Sequence, residues 1–389
     1  MNTDFYVKDT ISARSLKNYC QQDFKQDKTL GTTEVRNAFV IMSKQWHSGI
    51  LDGGIMTESM DYVPQSAYLE DNSCGYEFIP DEIELKGEGC IYLGLFHTCY
   101  GHAIIDSLKK LWYVETTECK NLIAKGYELV FITGRNGDLP YWNKRILELA
   151  GLNMQEITHL RQNKFYRHII IPDNSTIFEV SGCRYYTETF ENIIYRIKDS
   201  VSATTAFHQQ YPSKLYFTRT AIHYPNHRET GEKRIEKVFK EKGYEIISPE
   251  KHSIEEQVSM LMKCTHFAAT EGSCAHGAIF VSPHTNVCVL RKADYVNKNQ
   301  PMITQLTNSN TTYIDIHHSV RANKKFPMLG PFYMYVTKEL SEWAGNRTHQ
   351  YYFLQPSYWF YYSDRVKRYV RITHRIMNKL ARLLWIKKG

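Results

Sequence analysis

Residues 253–292 read SIEEQVSMLMKCTHFAATEGSCAHGAIFVSPHTNVCVLRK. Ser253 with Glu256 three positions on is a capping box, and the apolar stripe behind it predicts a helix. HFAAT then predicts a buried strand, EGS a tight turn, CAHGAIFVS a second helix and NVCVLRK a second strand. Upstream, KLYFTR predicts a strand, ETGEKRIEKVFKEKG a helix with Ile235, Val238 and Phe239 on one face, and YEIISPE another strand. The first half repeats the theme. CIYLGLF (90–96) is of strand type, and GHAIIDSLKKLWYV has Ile104, Ile105, Leu108, Leu111 and Trp112 at helical spacing. YELVFITG (127–134) and HIIIP (168–172) are further strands, with a helix from Pro140 to Gly151 between them. Strands alternating with helices predict an α/β fold with a parallel sheet in each half. The polar stretch 198–213 marks a boundary. The expected units are 1–205, 206–335, and a tail, 336–389; residues 1–75 carry few periodic signals.

The composition is that of an ordinary globular protein of 389 residues, 42% apolar and 23% charged. Mean hydropathy is −0.46, and no run of about 18 apolar residues predicts a spanning helix. The first twenty residues lack a basic and an apolar signal region, so a cytoplasmic location is expected. Nine cysteines, odd in number and never spaced as a CxxC pair, argue against a disulfide framework or a zinc site. The net charge of +7 is concentrated: residues 364–388 hold nine Lys or Arg against Asp364, while the rest of the chain has 39 basic and 40 acidic residues. A neutral body with one basic tail is not the footprint of a nucleic-acid binder.

In a parallel sheet, ligands gather at the carboxyl ends of strands, which singles out three places. At Thr270-Glu271-Gly272-Ser273 a strand turns into a helix. Gly272 admits a close backbone approach, Ser273 can donate a hydrogen bond, and a helix start favours an anion such as a diphosphate, with His276 one turn in. A plain Ser-capped helix reads equally well there. Arg219 ends the KLYFTR strand, followed by His223, His227 and Arg228; it is placed either for a phosphate or as a solvated loop charge. His102 and Asp106, four apart, share a helix face, the pairing a general base needs, although exposed helix pairs look the same. His97 and Tyr100 precede them. The chain has no Asp-x-Asp, GxGxxG, GxxxxGK[ST], GxSxG or HExxH, which removes the usual handles of metal-bridged sugar transfer, dinucleotide, P-loop, serine-hydrolase and zincin chemistry.

Taken in order, GHAIIDSLKKLW, KLYFTR, GYEIISPE and SIEEQVSMLMKCTHFAATEGSCAHGAIF resemble the family 61 (DUF563) glycosyltransferases of bacterial capsule and surface-polysaccharide type. The resemblance spans about residues 90–320. It rests on His102, Asp106, Leu108, Leu111 and Trp112, on Tyr216 and Arg219, on Glu256-Gln257-Val258, and on Gly272, Ser273, His276 and Phe280. Two positions depart from the pattern: Cys99 stands where Asn is common and Lys109 where Pro is common. The resemblance implies a GT-B-like fold, two Rossmann-like domains facing across a cleft, with an acceptor-side first domain and a nucleotide-sugar-binding second. It also implies inverting transfer without a bound metal from a nucleotide sugar to an oligosaccharide or lipid-linked glycan. His102 or Asp106 is then the expected base. Arg219, Gly272 and Ser273 would hold the diphosphate, with Glu271 or His276 at the donor sugar or ribose, unless Glu271 is itself the base. Transfer of another phosphate-activated group in the same pathway, or a non-catalytic membrane-bound scaffold, are the alternatives.

The tail, taken as a helix from Asp364, aligns Val366, Tyr369, Val370, Thr373, Ile376, Met377, Leu380, Leu383 and Leu384. Arg365, Arg368, Arg371, Arg375, Lys379 and Arg382 fall mostly off that stripe. YYFLQPSYWFYY before it and Trp385 near its end are the aromatics of a membrane boundary. An amphipathic helix on an anionic inner membrane face is expected, against the alternative of a helix docked on the protein's own core.

Overall fold

The computed structural model describes residues 2–386 except 45, 48–49, 69–72, 135–136, 179–183, 223–228, 319–329 and 346–353. The second half builds a wholly parallel six-stranded sheet in the order Thr3–Tyr6, Asn310–Asp315, Asn286–Arg291, His266–Thr270, Lys214–Phe217, Glu245–Ile247. Its inner strands His266–Thr270, Asn286–Arg291 and Lys214–Phe217 are near-continuous apolar runs, as strands covered on both faces are. Helix Ile254–Lys263 starts on the capping box: Ser253 Oγ accepts from Glu256 N while Glu256 accepts from Ser253 N. The edge strand Thr3–Tyr6 comes from the other end of the chain, so the expected boundary at 205/206 does not separate these first residues from the second sheet.

The first half departs from the expected parallel sheet. Gly54–Thr57, Thr32–Ile41, Lys164–Pro172, Lys86–Phe96, Glu128–Thr133 and Ile157–His159 form a mixed sheet in that order. The last four strands are parallel, whereas Thr32–Ile41 runs antiparallel to both of its neighbours. Residues 1–75, weakly patterned in sequence, thus supply three strands to the two large sheets. One core cluster takes Ile91 and Phe131 from the first sheet, Phe217 and Phe267 from the second, and Phe190 and Ile197 from helix Glu188–Ser202. Separate clusters around Val40, Tyr92 and Ile169, and around Tyr216, Phe239 and Ile314, cover the opposite faces.

The expected single helix over residues 101–114 is not formed. An α-helical turn, Tyr100–Ala103, gives way to turns and a 3-10 segment, Leu111–Glu115. Three successive amides, of Ile105, Asp106 and Ser107, converge on the His102 carbonyl at 3.3, 2.7 and 3.3 Å, so the regular ladder stops there. Lys109 and Lys110, which a surface helix would expose, are buried. The Lys109 ammonium donates to the Tyr68 carbonyl at 2.6 Å, and Lys110 donates to the carbonyls of Gln65 and Pro172. Satisfying two buried cations outweighs one more helical turn.

Arg291 and Asp315, both 0% exposed, pair at 2.6 Å at the carboxyl ends of adjacent strands. Arg291 also donates to Ser12 Oγ at 2.8 Å, and Asp315 accepts from Lys8 N at 2.8 Å, tying down the N-terminal segment. Asp315→Ala leaves the guanidinium buried without its carboxylate and is expected to cost about 3–5 kcal/mol in urea unfolding. A loss below about 1 kcal/mol would contradict this role.

Candidate functional site

The carboxyl end of strand Lys86–Phe96 is bent. Pairing with Glu128–Thr133 shifts register between Tyr92 and Leu95, where Gly94 takes φ +98. Such a bulge re-aims the downstream chain, here His97 and the Tyr100–Ala103 turn. Ser107 Oγ accepts from His97 N at 3.0 Å, and Asn143 donates to the His97 carbonyl at 2.7 Å, which pins the loop.

On this support His102 Nδ1 meets Asp106 Oδ2 at 2.6 Å, with side-chain exposures of 34% and 2%. The i, i+4 pair survives the loss of the helix because the turn itself brings both residues round. Tyr68 Oη lies 3.1 Å from both His102 Nδ1 and Asp106 Oδ2. Burial pushes the Asp106 carboxyl up, but the His102 hydrogen bond and the charges of His102, Lys109 and Arg184 outweigh it and hold the group below the usual range. A carboxylate fixed on Nδ1 leaves Nε2 as the ring nitrogen that can take a proton. His97, its ring 4.6 Å from that of His102, is pushed down to about 4 by burial and by His102, so it stays neutral.

The second element is the Glu271–Ser273 turn after strand His266–Thr270. Gly272 adopts φ +114, open to glycine, and caps the Ser273–His276 helical turn, which continues as a 3-10 segment, Gly277–Phe280. The expected longer helix is absent: one α-helical turn passes directly into the 3-10 segment. A single turn carries little macrodipole. Positive charge comes instead from side chains: a Cβ at Gly272 would lie 3.8 Å from Lys292 Nζ.

The two elements meet directly. A Cβ at Gly101 would lie 2.7 Å from His276 Nδ1 and 3.0 Å from Ser273 Oγ, and Cys99 Sγ sits 3.6 Å from Ser273 Oγ. His276 is buried, its Nε2 3.2 Å from Asn297 Nδ2. Burial, with His102 adding to it, drives His276 down to about 4. Residues 102, 106, 273 and 276 therefore form one neighbourhood.

Arg219, Glu271 and the loop cations fare differently. Arg219 Nε lies 3.4 Å from Glu229 Oε2, and Lys292 Nζ donates to Glu229 Oε1 at 2.8 Å, so one carboxylate bridges two cations. Neighbouring Glu232 accepts from Tyr216 Oη at 3.1 Å and is raised to about 7, by burial first and then by Glu229. Glu271 is 1% exposed and also raised to about 7 by burial, against the opposing charges of Arg291 and Lys292. It faces Arg291 and Asn297 rather than the His102 pair. His223, His227 and Arg228 lie outside the described residues.

Tyr68, Arg184, Lys292, Glu229, Glu232 and Asn297 were not singled out in the sequence. Only Lys292, next to a strand end, carried a signal that could have found it. Among the described residues no group of three or more His, Cys, Asp or Glu is arranged to hold a metal ion. The eight described cysteines are free thiols, and Cys183 lies outside the described residues. Two cavities of about 530 and 490 Å³ lie elsewhere, at Ser43, Glu82 and Arg161 and at Lys25, Tyr186 and Gln305.

The buried carboxyl of Glu232 makes a pH prediction. Its native value of about 7 lies above its unfolded value of 4.5, so its contribution to stability is full below pH 4.5 and is lost as pH rises through 7. Glu232→Gln keeps an acceptor for Tyr216 and removes that loss. Above pH 8 the variant should be more stable than wild type, by up to roughly 3 kcal/mol, and the gap should close below pH 5. A pH-independent difference in thermal unfolding would refute the assignment.

Residues 100–288 match the family model described as Glycosyltransferase 61, a span that opens at the His102 turn and includes Arg219 and the Gly272–His276 element. No curated protein matches the chain. The match supports a glycosyltransferase of family 61.

Proposed function

We propose that the chain is an inverting, metal-independent glycosyltransferase of GT-B type, taking a sugar from a nucleotide-sugar donor to a surface polysaccharide or lipid-linked glycan acceptor. The observation that carries the reading is the His102–Asp106 pair held at 2.6 Å against the Ser273–His276 turn, where strand ends of the two large sheets meet. His102 Nε2 takes the acceptor hydroxyl proton as that oxygen bonds to the donor anomeric carbon. The bond from that carbon to the diphosphate oxygen breaks on the opposite face, and the electron pair leaves with the diphosphate. Asp106 positions the imidazole and stabilises its protonated form. Arg219 and Lys292, sharing Glu229, keep a net positive charge beside the Gly272–Ser273 backbone for the departing diphosphate. Glu271, enclosed behind the turn, shapes it rather than acting as base. His276 stays neutral beside Ser273, at the donor sugar or ribose.

His102→Ala and Asp106→Asn are expected to lower kcat by about 10²- to 10⁴-fold with little change in donor KM, as loss of a general base and of its orienting carboxylate does. Glu271→Gln should keep kcat within about tenfold; a collapse there alone, with His102→Ala near wild type, moves the base to Glu271.

In a thermal-shift panel of UDP, GDP, CMP and their sugar conjugates, one nucleotide should stabilise the chain by about 2.7 kcal/mol at a hundred times its Kd. Arg219→Ala should weaken that shift and reduce turnover by about 10²- to 10³-fold, and turnover by wild type should persist in excess EDTA. No shift with any nucleotide, or an EDTA loss restored by Mn²⁺ or Mg²⁺, would contradict the donor site or the metal-independent step respectively.

A further inference from the structure

The C-terminal helix, Pro356–Ile386, is rooted on the body and then leaves it. Gln355 brackets Val336, accepting from its N at 2.8 Å and donating to its carbonyl at 3.2 Å. Tyr361 stacks on His318 at 5.3 Å and meets Tyr333 edge-on at 5.6 Å, while Tyr333 donates its hydroxyl to Asp364. Beyond that root, every described side chain from Arg365 to Asn378 is exposed. The hydrogen bonds formed there stay within the helix, as Arg365 on the Tyr361 hydroxyl, Thr373 on the Tyr369 carbonyl and Asn378 with His374 do. The expected alternative, a terminal helix docked along the core, therefore holds only for the first turns.

The exposed surface is divided. At 100° per residue, Val366, Tyr369, Val370, Thr373, Ile376 and Met377 fall within an arc of about 120°, and Lys367, Arg371 and Arg375 cluster on the opposite side. Val366, Val370 and Met377 are 61, 61 and 65% exposed, an apolar stripe that a helix in water does not keep without a partner. The side chains of Arg368 and Lys379 to Ile386, and residues 387–389, lie outside those described.

We infer that this helix lies in the plane of an anionic lipid surface, its apolar stripe at the acyl boundary and its basic residues at the headgroups. Charge selects that occupant. Residues 364–388 carry nine basic side chains and one acid, and that acid, Asp364, is already held by Tyr333. A second copy of this chain would match stripe to stripe but set two such basic helices side by side. A nucleic acid would satisfy the charge and leave the stripe in water. No helix among the described residues is long and apolar enough to cross a membrane, which leaves the interfacial orientation. The inference stands on the helix alone and does not depend on the catalytic reading.

Co-sedimentation of the full chain with phosphatidylcholine vesicles containing one-third phosphatidylglycerol tests it, with pure phosphatidylcholine and a DNA duplex as the other arms. The chain should bind the anionic vesicles, bind pure phosphatidylcholine at least tenfold more weakly, and be released as salt shortens the Debye length. Neutralising Lys367, Arg371 and Arg375 to Gln should cut partitioning on the order of 100-fold, since each basic residue adds roughly fivefold. Val370→Glu with Ile376→Glu should do at least as much, with the melting temperature of both variants unchanged because the sites are exposed. Failure of the wild type to bind, equal binding by the variants, a vesicle-independent dimer that the Glu variant abolishes, or DNA binding indifferent to that variant would each overturn the inference.

Discussion

Gly101 is where the two turns of the candidate site meet, because a Cβ there would come within 2.7 Å of His276 Nδ1 and 3.0 Å of Ser273 Oγ. Only a residue without a side chain lets the His102 turn and the Ser273 turn touch. Those turns end strands in different sheets, and the sheets share one core cluster through side chains such as Phe131 and Phe267. The packing that holds the sheets together thereby sets the separation between the imidazole of one and the backbone turn of the other. A rigid core transmits small displacements, so the distance is not free to drift.

The electrostatics on either side of this contact differ in kind. On the His102 side, a carboxylate kept ionised in a buried place stands against one imidazole, with His97 and His276 both held neutral near 4. His102 is the one of the three rings paired with that carboxylate. On the Arg219 side, two cations share one carboxylate, and the adjacent Glu232, near 7, is partly uncharged at neutral pH. The cluster keeps net positive charge while each cation is held in place. An anion arriving there would meet preorganised charge rather than mobile surface arginines.

Much of the second sheet was legible because parallel strands buried on both faces are apolar runs, as HFAAT and NVCVL are, and because the Ser253–Glu256 capping box marks a helix start in the sequence itself. The His102–Asp106 pairing was legible from a spacing of four, although the helix expected to carry it is a single turn. What was hidden depended on distant partners. Nothing near Thr3 announces that it pairs with Thr311, and Thr32–Ile41, mostly polar over its first six residues and buried over its last four, gains its place from Lys164–Pro172. Tyr68 reaches Asp106 across 38 residues, and Lys292 reaches Glu229 across 63. Lys109 and Lys110 were misleading for a physical reason: lysine ordinarily marks a solvent face, and here both ammoniums find backbone carbonyls inside.

If the His102 turn and the Gly272–Ser273 turn are two walls of one ligand site, a bound sugar nucleotide touches both. Amide hydrogen exchange of the full chain, with and without the sugar nucleotide that stabilises it, tests this most directly. Exchange is expected to slow in residues 97–106 and 271–276 together, with the same ligand concentration dependence. Protection confined to one of the two segments, or appearing only at a distant surface such as the cavity beside Lys44 and Arg161, would contradict it.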